Sequence, residues 1–367
     1  MAETSTIEWT DATWNPITGC SVLSPGCTNC YAMKLAGGRL QGHPSRTGLT
    51  TPSKAGPVWN GHVRLNEVWL KQPLQWARPR KIFVCAHGDL FHESVPDAWI
   101  DKVFAVMALA PHHTFQVLTK RADRMRAYFE RLAAYVESEG DDPELTPRCF
   151  DHVTVAITGS PCAGGAIEEI PWPLPNVWLG VSAEDQEHAE QRIPDLLATP
   201  AAVRFLSAEP LLGPLHLMKV AVDDQGAFFN ALHGTFTNAR RIVQAPYLDL
   251  VIAGGESGPD ARPTDPRWVR ILRDDCATAG TAFFFKQWGA WWPQECHPIG
   301  SMLEVFRIAK LKPSRAIKRG CWGADDRWHP GSVAGGPPAY TSWLVGKKAA
   351  GRLLDGIEHN AMPERRS

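Results

Sequence analysis

The sequence has no run of eighteen apolar residues, so it offers no segment long enough to cross a bilayer as a helix. Its first residues, Met1-Ala2-Glu3-Thr4-Ser5, lack the basic stretch and apolar run of a secretory signal, and a cytoplasmic protein is expected. There is no positive excess either: 38 Lys and Arg stand against 39 Asp and Glu, a formal net charge of −1. Phosphate neutralisation drives non-specific coating of nucleic acid, so this balance gives such binding no support, while a local basic groove stays compatible with it. No glycine-rich dinucleotide fingerprint and no internal sequence repeat are present.

What is present is ordinary globular material, 44% hydrophobic and 21% charged over 367 residues. Apolar runs ending in polar residues alternate with helical patterns. Residues 81–86 run into His87-Gly88-Asp89-Leu90-Phe91-His92-Glu93, and a helix is expected over 96–110. Residues 114–118 end in Thr119-Lys120-Arg121, before a helix from Asp123 to about Tyr135. Residues 176–181 end in Ser182-Ala183-Glu184-Asp185-Gln186, and 203–206 in Ser207-Ala208-Glu209-Pro210. Residues 248–253 end in Gly254-Gly255-Glu256-Ser257-Gly258 before a helix over 268–279, and 281–285 end in Lys286-Gln287-Trp288-Gly289.

Near-continuous apolar strands alternating with helices indicate a parallel sheet covered on both faces. At least six of them give an α/β fold, a complete or partial (β/α) barrel over residues 1–290. Two stretches, about 137–175 and 217–246, read as insertions. Residues 291–367 read as a C-terminal extension whose polar tail, after about Glu358, is expected to be flexible. In such a barrel the polar residues at strand C-termini share one mouth. The candidates are Asp89, His92, Glu93, Thr119, Lys120, Ser182, Glu184, Asp185, Glu209, Glu256, Lys286 and Gln287. Each alone is more often an ion pair or a cap; it is their recurrence at one topological position that makes them a set.

Nine cysteines occur, and Cys85, Cys149, Cys162, Cys276, Cys296 and Cys321 are scattered singly, the pattern of small buried hydrophobes. Cys20, Cys27 and Cys30 are not. They sit in Gly19-Cys20-Ser21-Val22-Leu23-Ser24-Pro25-Gly26-Cys27-Thr28-Asn29-Cys30-Tyr31, where Gly19, Pro25 and Gly26 fold the loop so that the thiols converge. Three readings stand: zinc with a fourth ligand from elsewhere, a [4Fe–4S] cluster with one open iron, or three buried thiols without metal. Placement on a loop after the first strand of a βα barrel favours the cluster.

The loop resembles the cluster-binding loop of radical S-adenosylmethionine enzymes, above all the branch containing spore photoproduct lyase. It has three residues more between Cys20 and Cys27 than their usual C-x3-C-x2-C. A broader likeness covers about residues 7–290. The segments Trp9–Pro16, Asp89–Glu93, Leu118–Arg121, Trp178–Ser182, Glu184–Gln186, Phe205–Leu211, Gly254–Gly258 and Phe285–Gly289 are similar to the phage three-cysteine-motif proteins, the gene product 37/68 family. The resemblance implies a [4Fe–4S] cluster, S-adenosylmethionine cleaved to a 5′-deoxyadenosyl radical, an electron-donor protein, and a nucleobase or nucleic acid as substrate. Under it, Asp89 meets the methionine ammonium, Lys120 or Arg121 the methionine carboxylate, and Ser182 and Glu184 the ribose. Gly254 and Gly255 let backbone approach a ligand, Glu256 holds an adenine or amine, and Glu209 lines the site. Trp288, Trp291 and Trp292 either stack a base, or plug the barrel bottom or dock the C-terminal element.

Two readings of other classes remain. One is a zinc-stabilised, non-catalytic protein that binds nucleic acid or a protein partner. The other is a hydrolase using Asp89, His92 and Glu93, whose spacing lacks the two histidines of a zinc protease.

Overall fold

The computed structural model describes residues 5–160, 165, 167, 169–238, 240–297, 304–305, 307, 309–310, 318–332 and 340–363; Cys162 and the last four residues of the expected flexible tail lie outside them. Seven strands make one parallel sheet in chain order, a partial (β/α) barrel. They are β1 (Ala12–Trp14), β2 (Lys81–Val84), β3 (Thr114–Thr119), β4 (Val177–Ser182), β5 (Val203–Ala208), β6 (Leu250–Gly254) and β7 (Ala282–Gln287), with β1 and β7 at the edges. The chain divides into two compact units, residues 1–182 with 191–205 and 364–367, and residues 183–190 with 206–363.

In the first unit the parallel ladder is regular: Trp14 pairs with Val84, Val84 with Val117 and Val117 with Leu179. β4 is buried at every position, as a strand covered on both faces must be. The helices are α1 (Tyr31–Ala36), α2 (Asp97–Ala108), α3 (Ala122–Glu139) and α4 (Cys149–Thr158). α2 buries Ile100, Val103, Phe104 and Met107, and α3 buries Met125, Phe129, Leu132 and Val136, both at the three-to-four spacing of one helical face. Between β1 and β2, Ile17–Thr18 pairs antiparallel with Arg64–Leu65, and Thr50–Ser53 forms a hairpin with Gly56–Trp59.

The 137–175 insertion, expected as loop-like material, carries the ten-residue α4. Its Val153, Thr154, Val155 and Ile157 are poor helix formers, which hides the element from propensity. Tertiary burial of Phe150, Thr154 and Ile157 holds it, with Phe150 5.8 Å from Trp172.

In the second unit β6 is fully buried and pairs in parallel with β7. After β6, α6 (Pro266–Ala279) starts with Pro at its first position and with the Asp265 carboxylate accepting from the Arg267 amide at 2.8 Å. (Between β4 and β5 lies α5, Gln186–Ala198, which both units share.) The 217–246 excursion is a four-stranded antiparallel sheet of two- and three-residue strands, closed by Phe229 and Phe236 with ring centroids 4.9 Å apart.

The chain beyond 290 forms another antiparallel sheet, in the order Trp291–Pro293, Tyr340–Leu344, Arg319–Trp322, Trp328–Pro330. Past Glu358, where composition places the start of a flexible tail, the chain stays attached: the Phe285 amide donates to the His359 carbonyl at 2.9 Å, and Asn360 bridges to Phe284. Cys85, Cys276, Cys296 and Cys321 are buried, Cys149 is partly so, and none of these five is in a disulfide. Among the described residues no helix is long and apolar enough to cross a membrane.

Candidate metal centre

The cysteine loop follows β1 and ends in α1. Cys27 closes a short 3₁₀ turn that Pro25 starts, and Cys30 sits at the N-cap of α1, its amide donating to the Cys27 carbonyl at 3.2 Å. Gly19 and Cys20 are tied to the unit's frame, through Gly19 N to His87 O at 3.2 Å and Gly61 N to Cys20 O at 3.1 Å. Cys20 and Cys30 rest on an apolar floor of Ala32, Met33, Ala36, Leu49 and Trp59. All three thiols are partly exposed and free of disulfides.

Gly19 has φ +99°, and a Cβ there would lie 2.1 Å from the His62 carbonyl oxygen. Gly19→Ala is therefore expected to cost more than about 2 kcal/mol of stability, which chemical denaturation of the variant checks.

Beside Cys20 lies a buried cation. Arg121, just after β3 and 3% exposed, donates from Nη1 to Asp89 Oδ2 at 3.1 Å, from Nε to Glu93 Oε1 at 2.8 Å and from Nη2 to Ser21 Oγ at 2.6 Å. Its Nη1 is also 3.6 Å from Cys20 Sγ. Asp89 is the pivot: Oδ1 accepts from the Phe91 amide at 3.0 Å and the Thr119 hydroxyl at 2.8 Å, and Oδ2 from the Lys120 amide at 3.3 Å besides Arg121. With each oxygen accepting two bonds from within the chain, Asp89 orients Arg121. His92 joins the network through Nε2 to Ser21 Oγ at 3.1 Å, and burial, then Arg121, lower its affinity for a proton. Asp89, His92 and Glu93, the hydrolase candidates, thus all pack around one guanidinium.

Cys20, Cys27 and Cys30 are donors of the type that a zinc ion or an iron–sulfur cluster takes. Burial foremost, then the Asp89 carboxylate, push the Cys20 thiol up to about 12, against the pull of Arg121, and the two neighbouring thiols add to the rise. Burial raises Cys30 as well. A thiol gives up its proton on binding a metal, so a metal taken up here would have to offset the rise at Cys20 and Cys30. Among the described residues no three His, Cys, Asp or Glu side chains stand at metal-holding separation. Cys20, Cys27 and Cys30 share one loop without forming such a group.

Ser182, at the end of β4, uses its carbonyl to accept from Arg192 Nη1 at 2.6 Å. In the second unit the strand ends pair among themselves. Lys286 Nζ lies 2.8 Å from both oxygens of Glu209, Gln287 Nε2 is 3.0 Å from Ser257 Oγ, and Gly254 packs against the Glu209 side chain. Gly255 is required by the chain itself, since a Cβ there would sit 2.2 Å from the Trp288 carbonyl oxygen. Glu256 is buried and held by Arg262, through Nε at 2.9 Å and Nη2 at 2.5 Å. Glu184 is fully buried, with His188 Nε2 3.7 Å away and Asp185 holding the other ring nitrogen at 2.6 Å. Sequence reasoning missed Arg262 and His188 as partners, because nothing at a distance in sequence marks which cation a strand-end carboxylate selects.

The tryptophans expected to stack a base, to plug the barrel bottom or to dock the C-terminal element do the last. Trp288, Trp291 and Trp292 are 1%, 8% and 0% exposed, so no ring face is open to a base. Trp288 Nε1 donates to the Leu353 carbonyl at 2.8 Å, and Trp291 lies 5.1 Å from Trp328.

A family model described as a protein of unknown function, DUF5131, matches residues 4–363. The chain belongs to the DUF5131 family. The match takes in the cysteine loop, the seven-stranded sheet and the C-terminal sheet alike. No curated protein and no solved structure shows significant similarity to this DUF5131 chain.

Proposed function

We propose that the chain is a radical S-adenosylmethionine enzyme in which Cys20, Cys27 and Cys30 hold a [4Fe–4S] cluster. The observation that carries this reading is the pairing of three thiols on one loop after β1 with the buried Arg121, whose Nη1 reaches the Cys20 sulfur at 3.6 Å. Three cysteine ligands leave one iron open, and hydrogen bonds to the ligand sulfurs tune such a centre. When bound, the cluster supplies the electron that cleaves the sulfonium of S-adenosylmethionine.

The chain's own contribution is to place and shield. Asp89 and Glu93 fix the guanidinium, which offsets negative charge on the Cys20 sulfur, and the apolar floor packs against Cys20 and Cys30. A reducing protein partner belongs to the proposal. So does a nucleobase or nucleoside substrate, which rests on the likeness to the spore photoproduct lyase branch and draws nothing from the buried tryptophans.

Anaerobic reconstitution with iron and sulfide tests the ligands. A brown protein is expected, its visible thiolate-to-iron absorption abolished by Cys20→Ala, Cys27→Ala or Cys30→Ala singly while far-UV circular dichroism is retained. Variants that keep the full absorption would show that the cluster is held elsewhere.

A further inference from the structure

A second cation lies in the same unit, and it has no carboxylate. Arg46 is 4% exposed, and no acidic side chain among the described residues pairs with it. Both of its side-chain hydrogen bonds leave from Nη1, to the Ser45 carbonyl at 3.2 Å and the Ser45 hydroxyl at 2.7 Å, while its Nε is buried with no partner. The Nε–Nη2 edge, to which the buried and unpartnered Nε belongs, is the side of a guanidinium that grips two oxygens of one anion.

The surroundings are built to keep that edge in place and positive. The segment 43–47 is fastened by Thr18 Oγ1 to Ser45 O at 2.8 Å, by His43 Nδ1 to Ser45 Oγ at 2.7 Å, and by Arg64 to the Pro44 and Thr47 carbonyls at 2.5 and 2.8 Å. The guanidinium carbon stands 5.9 Å from the centre of the Trp69 ring. His87 shares the neighbourhood: its carbonyl accepts from the Gly19 amide at 3.2 Å, one residue on from the Thr18 that holds Ser45. Its Nδ1 is also buried and without a partner. The backbone of His87 is anchored by the Asn15 carboxamide at 2.9 Å, and its ring meets Tyr31, which is 51% exposed, edge-on at 5.8 Å. Two buried polar nitrogens on different segments thus lack partners in a region that also contains Arg64. A buried guanidinium is ordinarily retained with an anion, and here the protein does not supply one.

We propose that Arg46, with His87, forms an oxyanion-binding site beside the cysteine loop that takes a phosphate or carboxylate group of a small ligand. The guanidinium edge binds two of the oxygens, and the His87 ring hydrogen-bonds a further one. Tyr31, next to Cys30, marks the side from which the ligand enters. The site stands independently of the cluster, because none of the groups that define it is a cysteine.

Thermal unfolding of the full chain in potassium phosphate, potassium acetate and potassium chloride at equal ionic strength tests it. Phosphate or acetate at tens of millimolar is expected to raise the midpoint by about 3 °C or more over chloride. A response to phosphate alone assigns a phosphate group, to acetate alone a carboxylate, and to both a general oxyanion site. Arg46→Met is expected to abolish at least about two-thirds of the increment while unfolding in chloride no earlier than wild type, since it removes a buried charge that has no counter-ion. Arg126→Met, at an exposed ion pair with Glu130, keeps the full increment. Should Arg46→Met not fold, His87→Gln replaces it under the same criterion. No increment in the wild type, or an equal one in the variant, overturns the proposal.

Discussion

Arg121→Ala is expected to lower the unfolding free energy by about 3–5 kcal/mol, the usual cost of stripping one partner from a buried ion pair. The guanidinium is 3% exposed and Asp89 7% at the side chain, so neither charge has water to fall back on. Alanine leaves Asp89 Oδ2 with the Lys120 amide alone, and leaves Ser21 and the Cys20 sulfur without their donor. Most of that loss is an isolated carboxylate, so Asp89→Asn combined with Arg121→Gln should be less destabilised than the sum of the two single changes, by at least about 1 kcal/mol. Urea titrations of the four proteins measure this coupling. Additive effects would mean that the two groups do not share one network.

Acid is the second large lever. Burial, and after it the charge of Arg46, lower the His87 pKa to about 4, and burial lowers that of His297 to about 4. His297 Nε2 is buried without a partner, its ring 5.1 Å from Trp292. For a base depressed in the folded state, the unfolded chain takes the proton first as pH falls. Stability is therefore whole above about pH 6.5, is lost as pH falls from there towards 4, and levels off below. A depression of this size corresponds to on the order of 2–3 kcal/mol at each site. Comparing urea midpoints at pH 7 and pH 4.5, His297→Gln should lose about 2 kcal/mol less than the wild type. An equal loss would locate the acid sensitivity in other groups.

The sheet was legible because a parallel strand covered on both faces must be apolar throughout, and 177–181 and 250–253 are apolar runs of strand length. The antiparallel strands inside 217–246 were not, since two or three residues are too few to show a period of two. α4 was hidden by its β-branched residues, and its helix exists because Phe150 and Ile157 find tertiary partners. Similar limits apply to the site. Spacing and turn residues singled out Cys20, Cys27 and Cys30, and strand ends singled out Asp89 and Arg121. Which of these would face a ligand and which would hold a neighbour depends on distances that sequence does not carry. Asp89 accepts from the Arg121 guanidinium, and Arg121 reaches the Cys20 sulfur. Arg46 went unnoticed because an arginine in Pro44-Ser45-Arg46-Thr47 reads as an exposed turn, and only the folded chain buries it.

Metal analysis of protein purified without oxygen decides whether the cluster is there. About four iron and four sulfide per chain are expected, with zinc well below one. Colourless protein carrying one zinc per chain and no sulfide would contradict it.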